Sequence, residues 1–171
     1  KGSFIENDQK IMFDGGKGYA EKDWGKSMPS SWIWIQSNSF KDHRVSVMFS
    51  LARIPWLSGN FPGFLCLFML DDTIYTYTTW SGAEITHLTA EAGHVTVRIK
   101  DSSTELELQV EGEKHGILKA PVLGNMNRKI AESIDSKIHI TFTGGGNGKQ
   151  MFTGERAGFE LVGDTNELHF N

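Results

Sequence analysis

The chain has 171 residues, which at roughly 150 residues per domain predicts one domain spanning 1–171, large enough to bury a core without metal or disulfide. Its 39% apolar content excludes a disordered chain, and a formal net charge of −4 excludes a nucleic-acid binder, which needs a basic surface. The longest apolar stretch, Phe61 to Leu70, is interrupted by Pro62 and Gly63 and is too short for a transmembrane segment, which needs about 20 residues.

In chain order, period-two alternation predicts strand after strand. Ile33 and Ile35 alternate with Trp32, Trp34, Gln36 and Asn38. Val45, Val47, Phe49 and Leu51 form a second apolar face, then Val95, Val97 and Ile99. Leu106, Leu108 and Val110 alternate with glutamates, and Ile138, Ile140 and Phe142 with polar residues. Turn signals at Ser58-Gly59-Asn60, Asp71-Asp72, Ala92-Gly93, Asp101-Ser102-Ser103, Gly144 to Gly148 and Gly163-Asp164 separate them. This spacing predicts an all-β, antiparallel sandwich or barrel with less than one-tenth helix. Ile130 and Ile134, four apart, allow a short helix or an irregular crossover over 127–134, and the polar tail from Thr165 is expected to fray.

The single cysteine, Cys66, lies among Leu65, Leu67 and Phe68 and reads as a buried, inert thiol. Lack of a disulfide framework leans toward a reducing, cytoplasmic compartment. The chain begins at Lys1, so a processed product or a piece of a longer protein is expected and targeting is not legible. The glycine run 144–148 followed by Lys149 fits no phosphate-binding pattern and reads as a hairpin loop. His43, His87, His94, His115, His139 and His169 form no close pair, which points to exposed or structural histidines rather than a metal site. No G-x-S-x-G elbow is present to carry a serine nucleophile.

The chemistry concentrates in residues 18–38. Three of the five tryptophans, Trp24, Trp32 and Trp34, fall within eleven residues, beside Glu21, Lys22 and Asp23. Trp32, Trp34, Gln36 and Asn38 share one strand face, apolar at one end and hydrogen-bonding at the other, as a cavity wall would be. A carboxyl in an apolar cavity holds its proton toward neutrality, and indole faces stabilise a cation by roughly 0.5–2 kcal/mol. Such equipment suits protonation of an alkene and shelter of the carbocation. The competing reading is a strand end in which Glu21 or Asp23 pairs with Lys22 or Lys26 over a tryptophan-rich core.

The run Tyr19, Glu21, Lys22, Asp23, Trp24, Gly25, Met28, Pro29, Trp32, Trp34, Gln36 and Asn38 resembles the signature of the tocopherol cyclase family, with Met28 where phenylalanine is usual. The resemblance continues through Trp80-Ser81-Gly82, through Ala120-Pro121 and the pair Arg128 and Glu132, and into the stretch from Ala157 to Asp164. It implies a lipocalin-like (calycin-type) β-barrel corresponding to the C-terminal half of a tandem-barrel architecture, with an N-terminal barrel as partner. It also implies closure of a chromanol ring: the side-chain alkene of a prenylated hydroquinone is protonated, and the phenolic oxygen attacks the tertiary cation. No redox cofactor and no metal is implied. On the chemistry of the residues, Glu21 or Asp23 is the expected acid. Tyr19, Lys22, Trp24, Trp32, Trp34, Trp80 and Arg128 are expected around the prenyl ligand, and Gln36 and Asn38 at the head group. The alternatives are a non-catalytic lipocalin-like carrier of a hydrophobic small molecule, since an eight-stranded barrel holds about one small ligand, and a sugar-binding sandwich with exposed tryptophans.

Overall fold

The computed structural model describes residues 1–112, 116–146 and 148–170. His115, weighed above as a ligand, and Asn147 of the glycine run lie outside the described residues. A small hairpin, β1 (Ser3–Glu6) and β2 (Gln9–Met12), turns on Asn7 and Asp8, both in the left-handed region. Then follow β3 (Trp32–Ser37), β4 (Val45–Trp56), β5 (Gly59–Leu70), β6 (Thr73–Thr78), β7 (Glu84–Glu91), β8 (His94–Lys100), β9 (Glu105–Glu111), β10 (Gly116–Val122), β11 (Asn125–Thr143) and β12 (Lys149–Val162), and a short 3-10 helix at Thr165–Leu168.

Strands β3 to β12 form one antiparallel sheet in the order β6-β5-β4-β3-β12-β11-β9-β8-β7, with β10 paired to the outer part of β11. The sheet is strongly curled. β6 and β11 stand five places apart, about 24 Å across a flat sheet at ~4.8 Å per strand. Yet the rings of Tyr75 on β6 and Phe142 on β11 are 4.6 Å apart, and the Tyr77 hydroxyl is 2.7 Å from that of Thr104. The concave face holds the core, where Ile33, Ile35, Phe49, Phe68, Phe142 and Phe159 are essentially inaccessible. The curl does not close by hydrogen bonding: among the described residues the end strands β6 and β7 do not pair.

The alternation was read with the correct inward face on β3, β4, β8, β9 and the inner part of β11. Cys66 is fully buried, and burial pushes its thiol well above the usual range. Two expectations are corrected. Residues 127–134 are neither helix nor crossover but part of β11, paired with β10 from Gly116↔Glu132 to Val122↔Asn125. A spacing of four fits a strand as well as a helix. Ile130 is buried, whereas Ile134 is exposed because β11 shifts register between Ser133 and Ser136. The tail is not frayed. Asp164 caps the 3-10 helix by accepting from the Asn166 N–H, Leu168 is wholly buried in the core, and the Glu167 carboxylate accepts from the Ser30 and Ser31 hydroxyls at 2.7 and 2.8 Å.

Candidate functional site

Strand β3 has two working faces. Ile33 and Ile35 enter the core, so Trp32 and Trp34 point to the convex side of the sheet. Register then dictates their neighbours. Trp34 lies between Ser50 on β4 and Glu160 on β12, and Glu160 is directly opposite Glu132 on β11. Trp32 lies between Ala52 and Val162. Gly158, one outward position before Glu160, leaves room for the Trp34 ring: a Cβ there would fall 2.7 Å from Cζ3 of the indole.

Residues 19–30, which have no regular secondary structure, run over this surface as a roof. Their backbone groups find partners in the β10–β11 hairpin. The Met28 N–H donates to the Pro121 carbonyl at 3.3 Å, the Gly124 N–H to the Lys26 carbonyl at 2.8 Å, and the Leu123 N–H to the Ser27 hydroxyl at 2.8 Å. Arg128 on β11 donates to the carbonyls of Pro29 and Ser30 at 2.7 and 2.6 Å, with its guanidinium carbon 4.8 Å from the Trp32 ring centre. Roof and sheet border an open-mouthed cavity of about 740 Å³. Its floor is Trp32, Trp34, Ser50, Ala52, Ile54, Glu132 and Glu160, and its rim is Glu21, Asp23, Trp24, Met28 and Pro121.

Carboxyls and indoles meet here. The Trp32 Nε1–H donates to Oε2 of Glu160 at 2.5 Å, and the Trp34 Nε1–H donates to Glu21 at 3.0 Å. The Tyr19 hydroxyl also donates to Glu21. Burial raises the Glu160 carboxyl above the usual carboxylate range. The Trp32 bond opposes this, and the nearby charges of Glu132 and Glu21 add to it. Asp23 is raised as well, by burial first and then by its hydrogen bond with Glu21 and that group's charge. The Tyr19 phenol is raised by burial and then by the Glu21 interaction. A cavity lined by tryptophans and carboxyls favours cationic character in a guest and retention of protons on its acids.

Of the residues singled out from sequence, Glu21, Asp23, Trp24, Trp32 and Trp34 line the cavity. Tyr19 stands beside it, its ring 6.4 Å from that of Trp34. Arg128 supports it from behind Trp32. Lys22 sits over the Trp24 ring at 5.8 Å. Gln36 and Asn38 bond to each other at 3.1 Å and are not among the lining residues. Trp80 is largely exposed just beyond the end of β6 and likewise lies outside the lining. The alternative of ion pairs from Glu21 or Asp23 to Lys22 or Lys26 is not how these side chains are arranged among the described residues. Sequence reasoning missed Glu160 and Gly158, and it used Glu132 only as part of a resemblance. Alternation alone puts Glu160 on the outward face of β12, but only the β3–β12 pairing places it against tryptophan.

Among the described residues, no three His, Cys, Asp or Glu side chains are grouped to hold a metal, and no helix is long and apolar enough to cross a membrane. A sequence profile described as tocopherol cyclase-like matches residues 1–161. No curated protein and no solved structure matches the chain. The signature read across 19–38 forms the roof and the central strand of the cavity, and the profile extends that likeness over nearly all of the chain: it belongs to the tocopherol cyclase-like family.

Proposed function

We propose that the cavity on the convex face binds a prenylated hydroquinone or a related prenyl lipid and closes a chromanol ring on it by alkene protonation. One observation carries the reading: carboxyl groups held toward their protonated form and the side chains of Trp32 and Trp34 border the same cavity. The acid supplies a proton, and the indoles shelter the tertiary cation in a site poorer in water than the surface. The reaction is an isomerisation, so its electrons balance without a redox partner. The carboxyls that border the cavity, Glu21 and Asp23 at the rim and Glu132 and Glu160 on the floor, are the candidates for that acid. Gln36 and Asn38 would meet the head group only if it extends along β3 beyond Trp34.

The curl of the sheet supports reading the fold as a lipocalin-like barrel left open between β6 and β7. A carrier of that type would hold its ligand on the concave side, which phenylalanines and aliphatics fill. The convex cavity is therefore the binding site we propose for either a carrier or an enzyme. Trp24, 86% exposed at the rim, is where we place contact with an additional N-terminal barrel.

The test is incubation of the chain with a geranyl-substituted hydroquinone, following ring closure by chromatography and binding by tryptophan fluorescence. Ring closure with quenching supports the cyclase. Quenching without ring closure, even with an N-terminal barrel supplied, supports the carrier.

A further inference from the structure

We infer that Glu160, rather than either rim carboxyl, is the proton donor of this cavity. The inference rests on the cyclase reading and goes beyond it by naming the acid. Position is the first argument. Glu21 and Asp23 are exposed and sit on a segment without regular structure. Glu160 is partly buried near the C-terminal end of β12, its backbone fixed on one side by pairing with Trp34 and on the other by pairing with Glu132. A catalytic group held by a sheet stays closer to its productive geometry than one on a loop.

Hydrogen bonding is the second argument. Glu21 accepts at Oε2 from two donors, the Tyr19 hydroxyl and the Trp34 indole, and shares a further hydrogen bond with Asp23, so its carboxyl is already engaged by its neighbours. Glu160 accepts from the Trp32 indole at Oε2, which leaves Oε1 to carry an acidic proton. The charged groups around it favour that proton. Glu132 faces it from β11 and Glu21 from the roof, while Arg128, which also packs on Trp32, is engaged by that ring and by the Pro29 and Ser30 carbonyls. Burial acts in the same direction.

The step balances. The Glu160 O–H bond breaks and a C–H bond forms at the less substituted alkene carbon, using the alkene π pair. The cation at the tertiary carbon lies against Trp34, since the Trp32 ring already carries Arg128. A lone pair of the phenolic oxygen forms the C–O bond, and the phenolic proton returns to the Glu160 carboxylate, restoring the acid.

The deciding experiment compares parent, E160Q and E160D in ring closure of a geranyl-substituted hydroquinone, with fluorescence titration and thermal melting of each. The amide keeps the acceptor for Trp32 and removes the acidic proton. E160Q is expected to lose about 10²–10⁴-fold in turnover with little change in affinity. An active parent whose E160Q variant turns over equally well overturns the assignment and leaves the cyclase reading standing. A parent that binds without ring closure, even with an N-terminal barrel supplied, overturns both. If E160Q misfolds, the pH profile decides. General acid catalysis predicts turnover falling as pH rises through the donor's pKa, and that limb moving in E160D. A flat profile, or a limb that stays fixed in E160D, refutes the donor role.

Discussion

Replacing Arg128 with alanine tests whether the roof is held by the contacts described. The change removes two charge-assisted hydrogen bonds, at 2.7 and 2.6 Å, and the guanidinium stacked 4.8 Å from the Trp32 ring centre. A hydrogen bond to a charged group contributes about 1.5–3 kcal/mol, and the stacked cation about 0.5–1 kcal/mol when partly exposed. Water replaces the bond to the exposed Ser30 carbonyl, so about half of that contribution is recovered. The expected net loss is then about 3 kcal/mol. For a domain of this size, each kcal/mol lowers Tm by about 2–4 °C, giving a fall of about 6–12 °C. Urea unfolding followed by circular dichroism measures it, and fluorescence titration with the prenylhydroquinone should show weakened binding. R128K should recover less than half of the loss, since an ammonium has neither the planar fork nor the stacking face. An R128A variant within about 0.5 kcal/mol of the parent, with unchanged binding, refutes the account.

Other outcomes follow from the same geometry. G158A puts a Cβ 2.7 Å from Trp34, so the indole must move into the cavity, costing about 1–3 kcal/mol and lowering probe affinity measurably by fluorescence. L168A removes a fully buried side chain and should cost about 2–5 kcal/mol in urea unfolding, whereas a frayed tail would cost nothing. Hydrogen bonds from Ser30 and Ser31 hold the Glu167 carboxyl below the usual range. Its stabilisation is therefore present above the ordinary carboxylate pKa and lost as pH falls through the folded value. Melting curves of E167Q against pH should show a shallower acid slope than the parent's, and identical slopes would contradict the contact.

Much of this molecule is legible in its sequence because burial on one face of a strand writes itself as alternation. Ile33 with Ile35, and Leu106 with Leu108 and Val110, are read directly, and the same rule separates Trp32 and Trp34 from the core. Alternation does not say which side of a curled sheet a ligand uses. The tryptophan face reads equally well as the lining of a barrel interior, and only the packing of phenylalanines on the concave side places it outward. Contacts distant in the chain leave no local mark. Glu160 is one outward glutamate among several until β12 docks on β3, and Leu168 looks like a tail residue until Glu167 finds Ser30 and Ser31. The helix-like spacing of Ile130 and Ile134 misled because i and i+4 also share a strand face, and Ile134 falls where β11 slips in register and is left exposed.

The pairing of β3 with β12 also bears on how the molecule is made. Trp32 to Gln36 pair with Gly158 to Val162, so the middle of the sheet joins segments more than a hundred residues apart, with nearly every other strand lying between them in sequence. Closing so long a loop carries an entropic cost before any contact repays it, and such topologies fold slowly. On the ribosome, β3 must wait with one edge unpaired until β12, more than a hundred residues later, has been synthesised. The cavity comes into being in that same late event, because it brings Glu160 to Trp32. A product cut within β12 ahead of Glu160 would keep most of the sheet and lose that carboxyl from the site, so appearance of the Trp32–Glu160 contact can report completed folding rather than early collapse.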